Sequence, residues 1–408
     1  MKILVLDEFL SYPVDSGKKV RTYNLLRQMA RHHTITLQTY VWGDPAEKVG
    51  LEHFRSLGIE VVAVPRRDPR KSGARFYWAL FRNLFSPLPY IVDGHVSDRY
   101  AEALATTIAR VRPDIALAEW SPYSVYLKPL AGIPRVAVAH NLESSIWRGY
   151  VEQAANPAKR AYARHQHRKV VAFEDEIFGW LDGLITVSPV ELAHVAARYP
   201  RLNAVLVDNG VDTDYFSPAT EEEDDNLIAF TGSMDWRPNQ DAVQYFTTAI
   251  LPELRRRAEA VTAVVVGRRP PEWLAALGRK HGVIFTGSVD DVRPWVRRAA
   301  VSIVPLRIGG GSRLKILEAL AMKKAVVSTT LGAEGLDLKS GEHLLIADTP
   351  GEFAAAVAGL LADRARRRQL GEAGYRQVIR KYRWEELGSV QLRFLESLAH
   401  KPSGQAHG

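Results

Sequence analysis

Residues Pro305–Glu334 read PLRIGGGSRLKILEALAMKKAVVSTTLGAE. The pattern is a strand end, a glycine loop, a helix and a further apolar strand. Gly309, Gly310, Gly311 and Ser312 lead directly into Arg313–Leu320. Glycines let backbone approach a ligand closely, and a helix N-terminus turns unpaired N–H groups toward an anion. Arg313 and Lys315 add two cations at the end of the helix that is already positive, a cost that a bound phosphate would reverse. Glu318 follows three positions after Lys315 on the same face, so a solvated Lys315–Glu318 pair beside an ordinary turn is the other reading of these residues.

Working outward, the chain of 408 residues predicts about two domains. It is 46% hydrophobic and 25% charged, the balance of a globular protein. No apolar run is long enough to span a bilayer. The opening MKILVLDEF turns acidic too soon for a signal peptide and reads as a buried strand. There is no cysteine, which excludes disulfides, thiolate catalysis and cysteine-based zinc sites and makes the cytoplasm the expected compartment. The net charge of +8 suits anionic partners, but no nucleic-acid-binding module is recognisable.

In the first half, strand Lys2–Leu6, a loop ending at Gly17, a helix from about Val20 to His32 and the strand HTITLQTYVW open a doubly wound fold. Gly17 stands where a phosphate could approach. Residues 66–86 mix Arg66, Arg67, Arg70, Lys71, Arg75 and Arg82 with Phe76, Trp78, Phe81 and Phe85. Such a segment either lies on an anionic membrane surface or packs its apolar face on its own domain. A helix is expected from Pro122 and a long helical region over 152–180, with Glu174, Asp175 and Glu176 on a solvated face. Strand RVAVAH ends at His140, followed by Asn141 and Glu143, at the strand end where parallel sheets bind ligands. Asp212-Thr213-Asp214 has the Asp-x-Asp form of a metal motif, but lies just before the acidic run ATEEEDDN (219–226), the expected linker. The second half repeats the α/β pattern: LIAFTG (227–232), TAVVVG (262–267), VIFTGSV, AVSIVPL, AVVST and HLLIA, with helices between.

The ordered motifs VDNGVDTDYFSP, FTGSMDWRPN, VVVGRR, FTGSVDDV and the opening stretch resemble the retaining GT-B glycosyltransferases of family 4. HNLESSIW and SMDWRPN resemble the bacterial branch associated with exopolysaccharide clusters and PEP-CTERM/EpsH-type export. The resemblance implies an α/β fold of two Rossmann-like domains facing a central cleft, with the last helix crossing back to the first domain. Its domains would be 1–215 plus helix 384–400 for the acceptor and 222–383 for the nucleotide sugar, with a disordered tail at 401–408. It implies transfer of a sugar from a nucleotide-diphosphate sugar to a hydroxyl of a glycan, lipid-linked or small-molecule acceptor, with retention and without a metal or cofactor. The setting would be cell-surface or exopolysaccharide synthesis, in the cytoplasm or peripheral on the inner face of the cytoplasmic membrane. Other outcomes of the same fold are a sugar-nucleotide epimerase and a degenerate sugar-nucleotide-binding protein.

The family pattern has two glutamates separated by seven residues; the second matches Glu318 and the first falls on Gly310. Its arginine and lysine after the first strand of the second domain fall on Ser233 and Asn239, which carry no charge. The resemblance therefore assigns charge neutralisation to Arg313 and Lys315, assisted by Arg268. Gly17, Gly232, Ser233, Gly309, Gly310, Gly311 and Ser312 would contact the donor, and Glu318 its ribose. His140 would meet the transferred sugar, and Asn141 and Glu143 would lie toward the acceptor.

Overall fold

A computed structural model describes residues 1–66, 73–130, 132–219, 222–309 and 313–400. The chain divides into two compact units, Met1–Asp208 with Leu387–Gly408, and Asn209–Glu386.

The first unit is built on strands β1 (Lys2–Asp7), β2 (Thr34–Val41), β3 (Glu60–Pro65), β4 (Ile115–Ala118), β5 (Arg135–Ala139), β6 (Gly183–Thr186) and β7 (Ala204–Leu206). They form a parallel sheet in the order 3-2-1-4-5-6-7. The central strands are apolar throughout; Ile3–Leu6 and Ile115–Ala118 are fully buried, because helices cover both faces of such a sheet. The order reverses between β1 and β4, so the connections after these strands leave in opposite directions, the place where such sheets bind ligands. The final helix Trp384–Ala399 returns to this unit: His33 lies 3.1 Å from Glu396, and Gln391 donates to the Met29 sulfur. Gly183 fits against Leu398 and Phe394, where a Cβ would come within 2.5 Å of Leu398.

The second unit repeats the plan with β8 (Asp224–Thr231), β9 (Thr262–Val266), β10 (Val283–Gly287), β11 (Ala299–Val304), β12 (Ala325–Ser328) and β13 (Leu345–Ile346). The order is 10-9-8-11-12-13, again parallel, with its reversal between β8 and β11.

Several expectations are corrected. The division falls at Asp208/Asn209 and Glu386/Leu387, not at 215–222 and 383/384. Val211 bridges to Arg383 and donates to the Tyr382 carbonyl, which draws 209–217 into the second core. Arg293 stacks over the Tyr215 ring and donates to its carbonyl, and Arg297 donates to that of Ser217. Among its described residues, the acidic run from Glu223 on is not a linker. Its Asp224–Asn226 begins β8, Glu223 pairs with the buried Lys324 and Arg367, and Asp225 pairs with Arg367. Asp212 caps its own turn, accepting from the backbone of Asp214 and Tyr215. The helix from Pro122 is a short 3₁₀ segment, Ser121–Tyr126. Region 152–180 breaks into Glu143–Gln153 and Pro157–Trp180, where Asn156 caps the second helix and Pro157 starts it. Glu174 is buried and accepts from the Ser144 backbone, so only its neighbours face solvent. The tail 401–408 lies outside the described residues.

Candidate functional site

Each unit gathers polar side chains at its own switch point, and the two groups differ in chemistry.

In the second unit, β8 ends at Thr231 and the chain turns through Gly232 and Ser233 before the helix Arg237–Tyr245. Lys315, from the first turn of the helix Leu314–Ala321, sends its Nζ to Asn239 Oδ1 at 2.8 Å and sits 4.1 Å above the Phe230 ring. Asn239 in turn donates from Nδ2 to the Ser233 carbonyl. The Ser233 hydroxyl accepts from Arg268 Nε at 2.9 Å and donates to Asp235. Lys315, Asn239, Ser233 and Arg268 therefore form one hydrogen-bonded chain around the end of β8. The chain is packed closely enough to require glycine at 232, which has φ of +153°. A Cβ there would lie 2.7 Å from Asn239 Nδ2 and 3.0 Å from Lys315 Nζ.

Burial lowers the Lys315 pKa to about 7, against the pull of Glu318 and with the push of Arg313. Burial likewise raises the Glu318 carboxyl to about 7, only partly offset by Lys315. The two side chains line one narrow recess with Thr231, Ser302 and Val304, between β8, β11 and the helix. Lys315 takes Asn239, not Glu318, as its hydrogen-bond partner. The solvated-pair reading of this turn thus gives way to a recess holding an ammonium and a carboxyl that are each near half-ionised at neutral pH.

Arg313 is placed differently. Its guanidinium is buried, lies 3.3 Å from Glu334 and donates to the Gly309 carbonyl at 3.4 Å. It holds the start of the glycine loop and is not part of the Lys315 chain. Gly309, with φ of +99°, packs on Pro238, which a Cβ would approach to 2.7 Å. Gly310, Gly311 and Ser312 lie outside the described residues.

In the first unit, Gly17 opens the helix Gly17–Ala30. The next residue, Lys18, reaches back to the end of β1, 3.0 Å from Asp7 and 2.7 Å from Glu8, with the Phe9 and Trp120 rings beneath it. Asp7 is fully buried, and burial raises its pKa. Beyond β4, the buried Glu119 accepts from the Thr22 hydroxyl at 3.0 Å. Burial, with the neighbouring Asp7, raises it to about 7, against Arg21. His140, after β5, lies 2.8 Å from the Glu119 carbonyl through Nε2. A carbonyl can only accept, so Nε2 carries the proton and Nδ1 keeps its lone pair. Burial and the charges of Lys18 and Arg21 hold His140 well below the usual imidazole range, so the ring is neutral. Glu143 accepts from the Trp120 indole at 2.8 Å and is raised by burial to about 7. Asn141 is exposed.

The structure thus groups His140 and Glu143 with Asp7, Lys18, Glu119 and Trp120, which sequence reasoning missed. Gly17 belongs to the same corner through Lys18. The available signal was position, since Asp7 and Glu119 stand at the ends of apolar runs as His140 does.

Comparison with known proteins fits both halves. Residues 16–215 match the family model described as Glycosyltransferase Family 4, and residues 225–363 match Glycosyl transferases group 1. A lipopolysaccharide core biosynthesis mannosyltransferase, LpcC, of Rhizobium leguminosarum bv. viciae is 27% identical over 253 residues, 57% of this chain and 70% of that one. A GDP-mannose-dependent alpha-(1-6)-phosphatidylinositol monomannoside mannosyltransferase of Mycobacterium tuberculosis is 26% identical over 303 residues, 64% and 77% of the two chains. Among solved structures, sucrose-phosphate synthase of Thermosynechococcus elongatus superimposes with a TM-score of 0.67 at 16% identity, covering 98% of this chain and 99% of the other. Anabaena HepE, solved with UDP and glucose, gives 0.66 at 15%, covering 97% and 100%. With two Rossmann-like parallel sheets the chain has the fold of the GT-B glycosyltransferases, and each half matches a glycosyltransferase family model, family 4 in the first and group 1 in the second.

Proposed function

We propose that the protein transfers a sugar from a nucleotide-diphosphate sugar to a hydroxyl acceptor, with retention and without a metal, in cell-surface or exopolysaccharide synthesis. The acceptor is a glycan, a lipid-linked or a small molecule, met in the cytoplasm or at the inner face of the cytoplasmic membrane. The observation that carries the reading is the chain Lys315–Asn239–Ser233–Arg268 around the end of β8, with Glu318 in the adjoining recess.

Breaking a glycosidic bond to phosphate builds positive charge on the sugar and negative charge on the departing diphosphate. Cations fixed where that charge grows lower the barrier. Lys315 supplies one and Arg268 the second, while Arg313 serves by holding the glycine loop through the Gly309 carbonyl. Backbone groups of Gly232, Ser233 and Gly309 line the phosphates. Glu318 accepts hydrogen bonds from the ribose hydroxyls. In the first unit, Gly17 leaves room for phosphate, His140 presents Nδ1 as an acceptor to a sugar hydroxyl, and Asn141 and Glu143 face the acceptor. The mannosyltransferase names of the relatives make GDP-mannose the first donor to try, with UDP sugars next.

The test is a thermal-shift screen of GDP, UDP, TDP and ADP sugars, followed by transfer assays with the selected donor. One donor class should raise Tm, since a ligand at 100 times its Kd adds about 2.7 kcal/mol. Lys315→Met should lower turnover about 10²–10³-fold. Turnover should survive EDTA, and the product anomer should match the donor. Normal turnover by Lys315→Met overturns the assignment, and a free epimer formed from donor alone overturns the transferase reading.

A further inference from the structure

We propose that the helix Ala74–Asn83 and the residues just after it dock the first unit on an anionic phospholipid bilayer through an aromatic ridge formed by Tyr77, Trp78, Phe81 and Phe85. Their exposures are 68%, 65%, 51% and 78%, so at least half of each residue faces water. The four follow at intervals of one, three and four residues, which is helical spacing on a single side. Three of them touch in series: Trp78 stacks on Phe81 at 5.7 Å, and Phe81 meets Phe85 edge-on at 5.5 Å. Scattered exposed apolar residues need no explanation, but three contiguous aromatics with a fourth on the same helix form a patch that water disfavours.

The ridge is anchored at its C-terminal end by the opposite side of the same segment. Asn83 is fully buried and donates to the Leu88 carbonyl and to Asp93. It accepts from Gln166 at 2.8 Å through its side chain and from Lys169 through its carbonyl at 2.7 Å. Phe76 packs edge-on against Tyr90. The inward side therefore satisfies the helix's packing, and the outward aromatics are surplus to folding.

Charge selects the occupant. In sequence, residues 66–86 contain six basic residues, Arg66, Arg67, Arg70, Lys71, Arg75 and Arg82, against one acidic residue, Asp68; of these, 67–71 lie outside the described residues. Trp and Tyr favour the interface between headgroups and acyl chains, and Lys and Arg beside them are drawn to anionic lipid. A short amphipathic helix with this composition lies in the plane of the interface and does not cross the membrane. In keeping with that, no helix among the described residues is long and apolar enough to cross a membrane.

The experiment is co-sedimentation of the full chain with vesicles of phosphatidylglycerol and phosphatidylcholine, and with phosphatidylcholine alone. The unmodified protein should sediment with the anionic vesicles, and about 0.5 M salt should release part of it. The triple variant Trp78→Ser, Phe81→Ser, Phe85→Ser should bind at least about tenfold more weakly with Tm unchanged, because its sites are exposed. Binding by the triple variant equal to the unmodified protein overturns the proposal, as does absence of binding to anionic vesicles. Equal binding to both vesicle types overturns the role of charge. A lipid-free dimer that the triple variant abolishes assigns the ridge to a second copy and overturns the bilayer. None of these readouts requires transferase turnover, so failure here and failure of the transfer reading are separable.

Discussion

Lys315 and Glu318 make donor binding a proton-linked event whose direction changes with pH. In the free protein the ammonium is held down to about 7 and the carboxyl up to about 7, both mainly by burial. A diphosphate favours the charged lysine, and ribose hydroxyls favour the charged carboxylate. Above pH 7 the lysine has lost its proton, so binding must take one up; below pH 7 the carboxyl holds its proton, so binding must release it. Treating the groups as independent, binding takes up about 0.8 proton at pH 8 and releases about 0.8 at pH 6. Affinity peaks near pH 7, falls about threefold one unit either side and about 25-fold two units away. Their mutual attraction makes the two midpoints properties of the pair. Calorimetry in buffers of different ionisation enthalpy reads the proton count directly. The ligand should be an intact nucleotide sugar, whose diphosphate does not titrate in this range. Lys315→Met should leave only the release limb, and Glu318→Gln only the uptake limb. Proton-neutral binding from pH 6 to 8 would refute the reasoning, since it would mean that the ligand's charge is met elsewhere.

Three further outcomes follow from local geometry. Gly232→Ala should fold but separate Lys315 from Asn239, because the added Cβ falls 2.7–3.0 Å from both side chains; donor affinity should drop about tenfold or more, read by thermal shift. Glu223→Gln leaves the buried Lys324 and Arg367 short of negative charge and should destabilise the second unit by about 3 kcal/mol, measured by urea unfolding. His140 should appear in nitrogen NMR as the neutral Nε2–H tautomer from pH 6 to 8, since burial and the nearby cations lower its pKa; an imidazolium at pH 6 would contradict this.

What the sequence made legible was what local pattern encodes. Buried parallel strands such as Ile3–Leu6 and the Ala325–Val327 part of β12 are short unbroken apolar runs, and the glycine loop announces the helix that carries Lys315 and Glu318. What it hid depends on partners brought together by strand order. Thr22 and Glu119 are 97 positions apart and meet because β4 lies beside β1. The run 219–226 looked like a solvated linker because its countercharges, Lys324 and Arg367, come from 101 and 144 positions after Glu223. Asn239 read as the place of a lost lysine, yet it is 76 residues from the lysine whose amino group it receives. Arg313 and Lys315 looked equivalent by spacing. Only the fold separates them, since Glu334 claims the first.

The position of Lys315 bears on how a leaving group can be stabilised preferentially. A fully solvated lysine is charged whether or not an anion faces it, so much of its attraction is already spent on the ground state. Lys315 is different: burial over the Phe230 ring keeps it near half-ionised in the free protein. Its charge is completed by the anion that faces it. As the bond to the sugar lengthens, negative charge on the diphosphate grows, and the ammonium, with no bulk water to screen it, responds to the increment. Asn239 fixes the amino group through a neutral acceptor, which positions it without neutralising it as a carboxylate would. On this argument Asn239→Asp should bind donor more weakly and also slow turnover, because a fixed anion at 2.8 Å would saturate the ammonium before the diphosphate arrives. Asn239→Gln, which keeps the amide, should recover turnover better than Asn239→Asp; the reverse order would place the catalytic charge outside this group.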